Sequence, residues 1–197
     1  MKIGLYGGTF DPVHIGHLLL AEWIRDELDL HEIIFIPAAI PPHKQDATIS
    51  PPGIRWQMLK LSIQGNPSFK ISDFELKNEN VSYSLKTIQH YRHTLKKSRD
   101  NLFFLIGADN LATFSSWYKP NQILKNCQVV VYRRTGSTTA DVPDEYITKM
   151  KIMKNPLIDI SSSEIRNRIR NGQSVKYMIP QSVEALIYEK NLYKNKS

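Results

Sequence analysis

The sequence predicts an α/β fold: a doubly wound, mostly parallel sheet flanked by helices and held in a single domain. Short apolar runs without polar alternation, among them Ile3 to Tyr6 and Leu102 to Ile106, read as strands buried on both faces. Segments with apolar residues at helical spacing fall between them, the alternation that builds a parallel sheet. The first run breaks into Gly7-Gly8 and then enters an amphipathic stretch. That is a strand-turn-helix unit, where a phosphate can meet bare backbone N–H groups.

With 197 residues the chain can bury one sizeable core, whereas two domains would each be small. Its net charge of +7 suits a protein that handles polyanions. The lysines are dispersed, as in Lys96-Lys97, Lys149 to Lys154 and Lys194 to Lys196, so most of that charge reads as solvated exterior. A nucleic-acid-binding module, which would cluster its basic residues among exposed aromatics, is the weaker alternative, and no nucleic-acid partner is expected. Cys127 is the only cysteine, which excludes an internal disulfide and a thiolate zinc site and fits a reducing cytoplasm. No apolar stretch approaches membrane-spanning length, so no membrane partner is expected.

Taken in order, Ile3 to Tyr6 is the first strand and Leu18 to Leu28 its crossover helix, with Leu20, Trp23, Ile24 and Leu28 turned inward. Glu32 to Pro37 is a second buried strand. The chain leaves it through Pro41-Pro42-His43-Lys44, at the carboxyl end of the sheet, where ligands bind. Gly53 to Ile63 is helical, and Arg55 near its start reads as a solvated charge in preference to a distant phosphate partner. Phe69 to Phe74 is a strand, and Ser82 or Ser84 caps a helix carried by Leu85, Ile88, Tyr91 and Leu95. Leu102 to Ile106 ends in Gly107-Ala108-Asp109 on the same rim, and the short helix after it finishes at Trp117-Tyr118. Gln128 to Tyr132 is the last clear strand of the sheet core. Arg133-Arg134 follow it onto the rim, and Thr135 to Asp144 is a surface loop. Ile158 to Ile160 is a short strand feeding Ser161-x-x-Glu164, a capping box with Arg166 one turn in, so this helix start is also a phosphate site. Pro180 opens a terminal helix, Gln181 to Lys190.

The most informative string is Gly7-Gly8-Thr9-Phe10-Asp11-Pro12-Val13-His14-Ile15-Gly16-His17. Its histidine spacing places both imidazoles on one side of the helix's opening turn, and its glycines clear side chains where a ligand approaches the backbone. The string resembles the signature of the nucleotidylyltransferase superfamily, enzymes that move a nucleoside monophosphate from a triphosphate onto another phosphate. Pro-Pro-His-Lys, Ser-Tyr-x-x-x-Thr, Gly-Ala-Asp and Trp-Tyr, in that order, are similar to the bacterial nicotinate-nucleotide adenylyltransferases. The resemblance runs from Met1 to about Tyr193. It implies a Rossmann-like fold and transfer of AMP from ATP to nicotinate mononucleotide, a step of NAD biosynthesis that releases pyrophosphate. It also implies Mg2+ carried mainly by the phosphates, with no metal held by the protein itself.

By the same resemblance His14 and His17 donate to the α-phosphate, Lys44 and Arg166 gather the β- and γ-phosphates, and the N–H groups near Gly7, Gly8, Thr9 and Phe10 complete the cradle. Ser161, Ser162 and Ser163 hold the leaving phosphates, with Ser163 in place of the family's threonine. Gly107 and Asp109 contact the adenosine. Trp117 stacks on the pyridine ring, while the Thr87 hydroxyl and the Tyr118 N–H hold its carboxylate. A carboxylate only accepts hydrogen bonds, so a pocket of donors prefers the acid to the amide. Nicotinamide mononucleotide or another phosphate such as phosphopantetheine is the alternative acceptor. Two departures stand out: Ser82-Tyr83-Ser84 replaces Ser-Tyr-Thr, and Arg133-Arg134-Thr135-Gly136 replaces Arg-Pro-Gly, which leaves the role of Arg134 open.

Overall fold

The structure is a computed structural model that describes residues 1–39, 49–77, 82–136 and 143–194. Its first half carries β1 (Ile3–Gly8), α1 (Ile15–Glu27), β2 (Glu32–Pro37), α2 (Pro52–Ser62), β3 (Phe69–Ile71) and α3 (Ser84–Thr94). Its second half carries β4 (Leu102–Gly107), α4 (Ala108–Leu111), α5 (Pro120–Asn126), β5 (Gln128–Tyr132), α6 (Asp144–Ile147), β6 (Lys151–Ile152), α7 (Ser162–Arg170) and α8 (Gln181–Glu189).

The strands form one sheet in the order β3-β2-β1-β4-β5-β6, and every neighbouring pair is parallel. Tyr6 of β1 stands in register with Phe35 on one side and Leu105 on the other. The winding therefore reverses between β1 and β4, which opens a crevice at the carboxyl ends of these strands. Successive residues of each strand go to opposite faces. Tyr6, Phe35, Leu105 and Tyr132 pack beneath α1, α2, α7 and α8, while Leu5, Ile34, Phe104 and Val131 pack beneath α3, α4, α5 and α6. Both faces are covered, so polar alternation is absent and the strands are legible as unbroken apolar runs.

Several boundaries differ from the sequence reading. The crossover helix begins at Ile15 rather than Leu18, with His14 as its N-cap residue. β3 stops at Ile71, because the Phe74 amide turns to the Ser72 hydroxyl (3.0 Å) and its ring leaves to stack on His90 (3.9 Å). Neither Ser82 nor Ser84 caps α3; the Ser82 hydroxyl instead accepts from the Ala39 amide (3.1 Å) and ties β2's exit to this segment. Residues 158–160 make no strand. The chain pairs earlier, through Lys151 and Ile152 against Val130 and Val131, so an exposed lysine run hides a sheet edge.

Candidate active site

A cleft of about 510 Å³ opens over the carboxyl ends of β1, β2 and β4. It gathers Gly7, Gly8, Thr9, Phe10, His14 and His17 with Gly107 and Asp109, with Ser161, Ser162 and Ser163, and with Thr87, Trp117 and Tyr118. Lys44 and His43 lie outside the described residues. These side chains come from segments far apart in sequence, so their meeting is a consequence of the parallel winding.

Phe10 sits at φ +50°, and its ring tucks against Gly8, where a Cβ would stand 2.9 Å from Phe10 Cζ. Gly8 is thus required by the packing of its own loop. At the start of α1 the His14 and His17 rings stack with centroids 3.6 Å apart. Gly16 lies against this pair: a Cβ there would come 3.0 Å from His14 Nδ1 and 3.3 Å from Ile158 Cγ2. The His14 backbone N–H donates to His17 Nδ1 at 3.2 Å. That bond puts the His17 ring proton on Nε2. His14 is buried, and its Nδ1 has no hydrogen-bond partner. Burial, aided by the nearby Arg134 guanidinium, lowers its pKa from 6.5 to about 3. The ring is neutral at pH 7 and keeps one N–H to give.

The loop is held from behind by residues far along the chain. Arg55, read from the sequence as a solvated charge, is 1% exposed. Its guanidinium donates to the carbonyls of Thr9 (2.9 Å), Ser50 (3.0 Å) and Ala39 (3.2 Å), so its burial is compensated by three backbone acceptors. The signal was present: Arg55 shares the i, i+3, i+4 face of Met58 and Leu59, which are both buried. Asp11 accepts from the Ser50 amide (3.1 Å) and from the Tyr193 hydroxyl (2.5 Å). Arg166 donates to the Asp11 carbonyl (2.7 Å) and to Ser163 Oγ (3.2 Å), and the Ser162 hydroxyl donates to the Pro12 carbonyl (2.9 Å). Ser161 caps α7 by accepting from the Glu164 amide (3.1 Å), which leaves the serine-rich helix start beside the glycine loop.

At the opposite end of the cleft Trp117 packs on Phe114 (5.4 Å between centroids) and edge-on to Phe104 (6.5 Å), with its Nε1 buried and unpartnered. Tyr118 is half exposed over Tyr83, 5.0 Å away. Thr87 is buried and donates to Glu75 Oε1 at 2.6 Å. Glu75, which sequence reasoning gave no role, lines the cleft and is itself buried, and that burial raises its carboxyl pKa. Asp109 pairs with Arg134 at 2.9 Å, and both side chains line the cleft beside Gly107.

A parallel sheet whose switch point gathers a glycine turn, two imidazoles and a serine-capped helix start defines a nucleotide-binding group-transfer protein. The family described as cytidylyltransferase-like matches residues 5–168. A protein of Caldicellulosiruptor saccharolyticus named a probable nicotinate-nucleotide adenylyltransferase is 39% identical, with 98% of this chain and 100% of that protein covered. One of the same name from Dehalococcoides mccartyi is 40% identical over 98% and 97%. The chain belongs to the cytidylyltransferase-like family and, within it, to the nicotinate-nucleotide adenylyltransferases. The fold agrees: the Plasmodium falciparum nicotinic acid mononucleotide adenylyltransferase complexed with NaAD superposes with a TM-score of 0.79 at 19% identity, covering 98% of this chain and 97% of that one.

Proposed function

We propose that this chain transfers AMP from ATP to nicotinate mononucleotide, forming nicotinate adenine dinucleotide and pyrophosphate. The observation that carries the reading is the single continuous cleft, with a phosphate cradle at one end and an aromatic pocket at the other. The reaction is an in-line displacement at the α-phosphorus. The attacking phosphomonoester has its second pKa near about 6, so it is ionised at neutral pH and needs no general base. The work left to the protein is to position two anions and to stabilise the charge that builds on the transferring phosphoryl group.

His17 Nε2–H and the one N–H of His14 donate to the α-phosphate. The amides of Gly8, Thr9 and Phe10 and those opening α7 take other phosphate oxygens, and Arg166 and Lys44 gather the tail. Trp117 stacks on the pyridine, with Thr87 and the Tyr118 N–H at its carboxylate, and Gly107 and Asp109 border the adenosine. A divalent cation accompanies the triphosphate, and we assign Mg2+. Among the described residues no three His, Cys, Asp or Glu side chains cluster as a metal cage, and the donor-rich cradle fits phosphate oxygens that themselves hold the ion. The ion lowers the net negative charge on the triphosphate. The 197 residues act as one domain, with 161–193 packed on it through α7 and α8, and the setting is cytoplasmic. Among the described residues no helix is long and apolar enough to cross a membrane.

Incubation with ATP, Mg2+ and, in turn, nicotinate mononucleotide, nicotinamide mononucleotide and phosphopantetheine, followed by detection of pyrophosphate and the adenylylated product, tests this. Fastest turnover with the acid supports it; turnover with phosphopantetheine alone overturns it. The amide acceptor remains a second reading, because an ionised Glu75 takes up the Thr87 proton across their 2.6 Å contact.

A further inference from the structure

The acceptor end holds an arrangement at odds with simple recognition of a carboxylate. Thr87 has a single hydroxyl proton, and its 2.6 Å contact with Glu75 Oε1 takes up that proton whenever Glu75 is ionised. The Ser82 hydroxyl also bonds Glu75. While Glu75 is ionised, Thr87 can show a ligand only lone pairs, which repel a carboxylate and suit an amide's N–H. A second carboxylate brought to this end would also face Glu75 across a buried, low-dielectric space.

We propose that Glu75 is a positioning residue that selects the acid form of the acceptor: when neutral it donates to Thr87 Oγ1 and frees the Thr87 hydroxyl proton for the acceptor's carboxylate. The inference rests on the acceptor reading given above. The same short contact serves both states, running from Thr87 to Glu75 in one and from Glu75 to Thr87 in the other. Binding the acid thus takes up one proton at Glu75 whenever the free protein holds it ionised, and binding the amide does not. Burial favours the neutral form, against the opposing hydrogen bonds from Thr87 and Ser82. The charged and titratable groups around it are Asp73 and Lys77 on its own turn, paired with each other at 2.9 Å, and His90 and Tyr91 on α3. Across the cleft stand Tyr83, Tyr118 and the Asp109–Arg134 pair. Among the described residues the Thr87 and Ser82 hydroxyls hydrogen-bond Glu75.

The test measures KM for nicotinate and nicotinamide mononucleotides between pH 5 and 9, the amide serving as the control for ionisation of the shared acceptor phosphate, for the wild-type protein and for Glu75→Gln. In the wild type the acid's KM rises relative to the amide's by up to about tenfold per pH unit once Glu75 ionises. Glutamine can donate permanently to Thr87 through its Nε2, so Glu75→Gln flattens the acid profile and raises the acid-to-amide ratio at pH 9. Parallel profiles for the two acceptors in the wild type overturn the inference even if the variant fails to fold, and so does an unchanged profile in a folded variant. If the wild type uses neither pyridine nucleotide, the acceptor reading itself falls, an outcome visible without any substitution.

Discussion

The two ends of the cleft are built differently. The phosphate end is fixed by bonds between segments far apart in the chain: Arg55 to Thr9, Arg166 to Asp11, Ser162 to Pro12 and Tyr193 to Asp11. The acceptor end relies on nearer neighbours, Glu75 with Thr87 and Tyr83 with Tyr118, and both of those tyrosines are exposed. Stabilising a transition state demands donors that do not reorganise as charge moves, whereas holding a planar ring demands area and can tolerate adjustment. The difference teaches where rigidity is needed: disturbing the first end should strike turnover, and disturbing the second should strike affinity.

The largest effect follows from His17→Ala, which removes the Nε2 donor. Turnover should fall by about 10³-fold with an unchanged circular dichroism spectrum. A loss of less than tenfold would break the comparison at its strongest point. Next is Gly16→Ala, at a position outside the residues lining the cleft, which pushes a methyl against the His14 ring and Ile158. The His14 ring must give by a few tenths of an ångström, and since a displacement of about 1 Å at reacting groups costs roughly 10²-fold, steady-state kinetics should show a smaller loss than that, with kcat falling more than KM changes. At the other end, Trp117→Ala removes stacking worth up to about 1.5 kcal/mol, and the acceptor's KM should rise about tenfold with a smaller change in kcat. If kcat falls as far as it does in Gly16→Ala, the two ends are not separable.

The same contrast governs what was legible in the sequence. The glycine loop and its two histidines could be read as lining one cleft because they sit in one contiguous string, and the buried strands because parallel sheets leave no polar face. Arg55 was misjudged because a lone arginine near a helix start defaults to solvent, and its three acceptors are backbone carbonyls that no side-chain pattern announces. The Asp11–Tyr193 bond joins opposite ends of the chain, and only the assembled fold brings them together. Glu75 was passed over because a carboxylate in a turn is ordinarily solvated; its burial comes from the surrounding packing. β6 was missed because its side chains face water while its backbone pairs.

The smallest effect concerns the price of keeping His14 neutral. Its pKa is about 3 in the folded protein and 6.5 ordinarily, so between those values the unfolded chain binds a proton that the folded one refuses. Stability from this group is therefore complete above pH 6.5 and declines as pH falls toward 3, by up to about 1.4 kcal/mol per pH unit. With the ring only 4% exposed, solvent does little to soften that slope. Denaturant unfolding at pH 7 and pH 5.5 should show the wild type losing about 1.2 kcal/mol more than His14→Gln, which lacks the titrating ring. Bound ATP should shrink the difference, because a phosphate oxygen beside the imidazole favours its protonated form. Equal losses in the two proteins would mean that the ring takes up its proton at no cost, and that the phosphate end yields more readily than its long-range bonds imply.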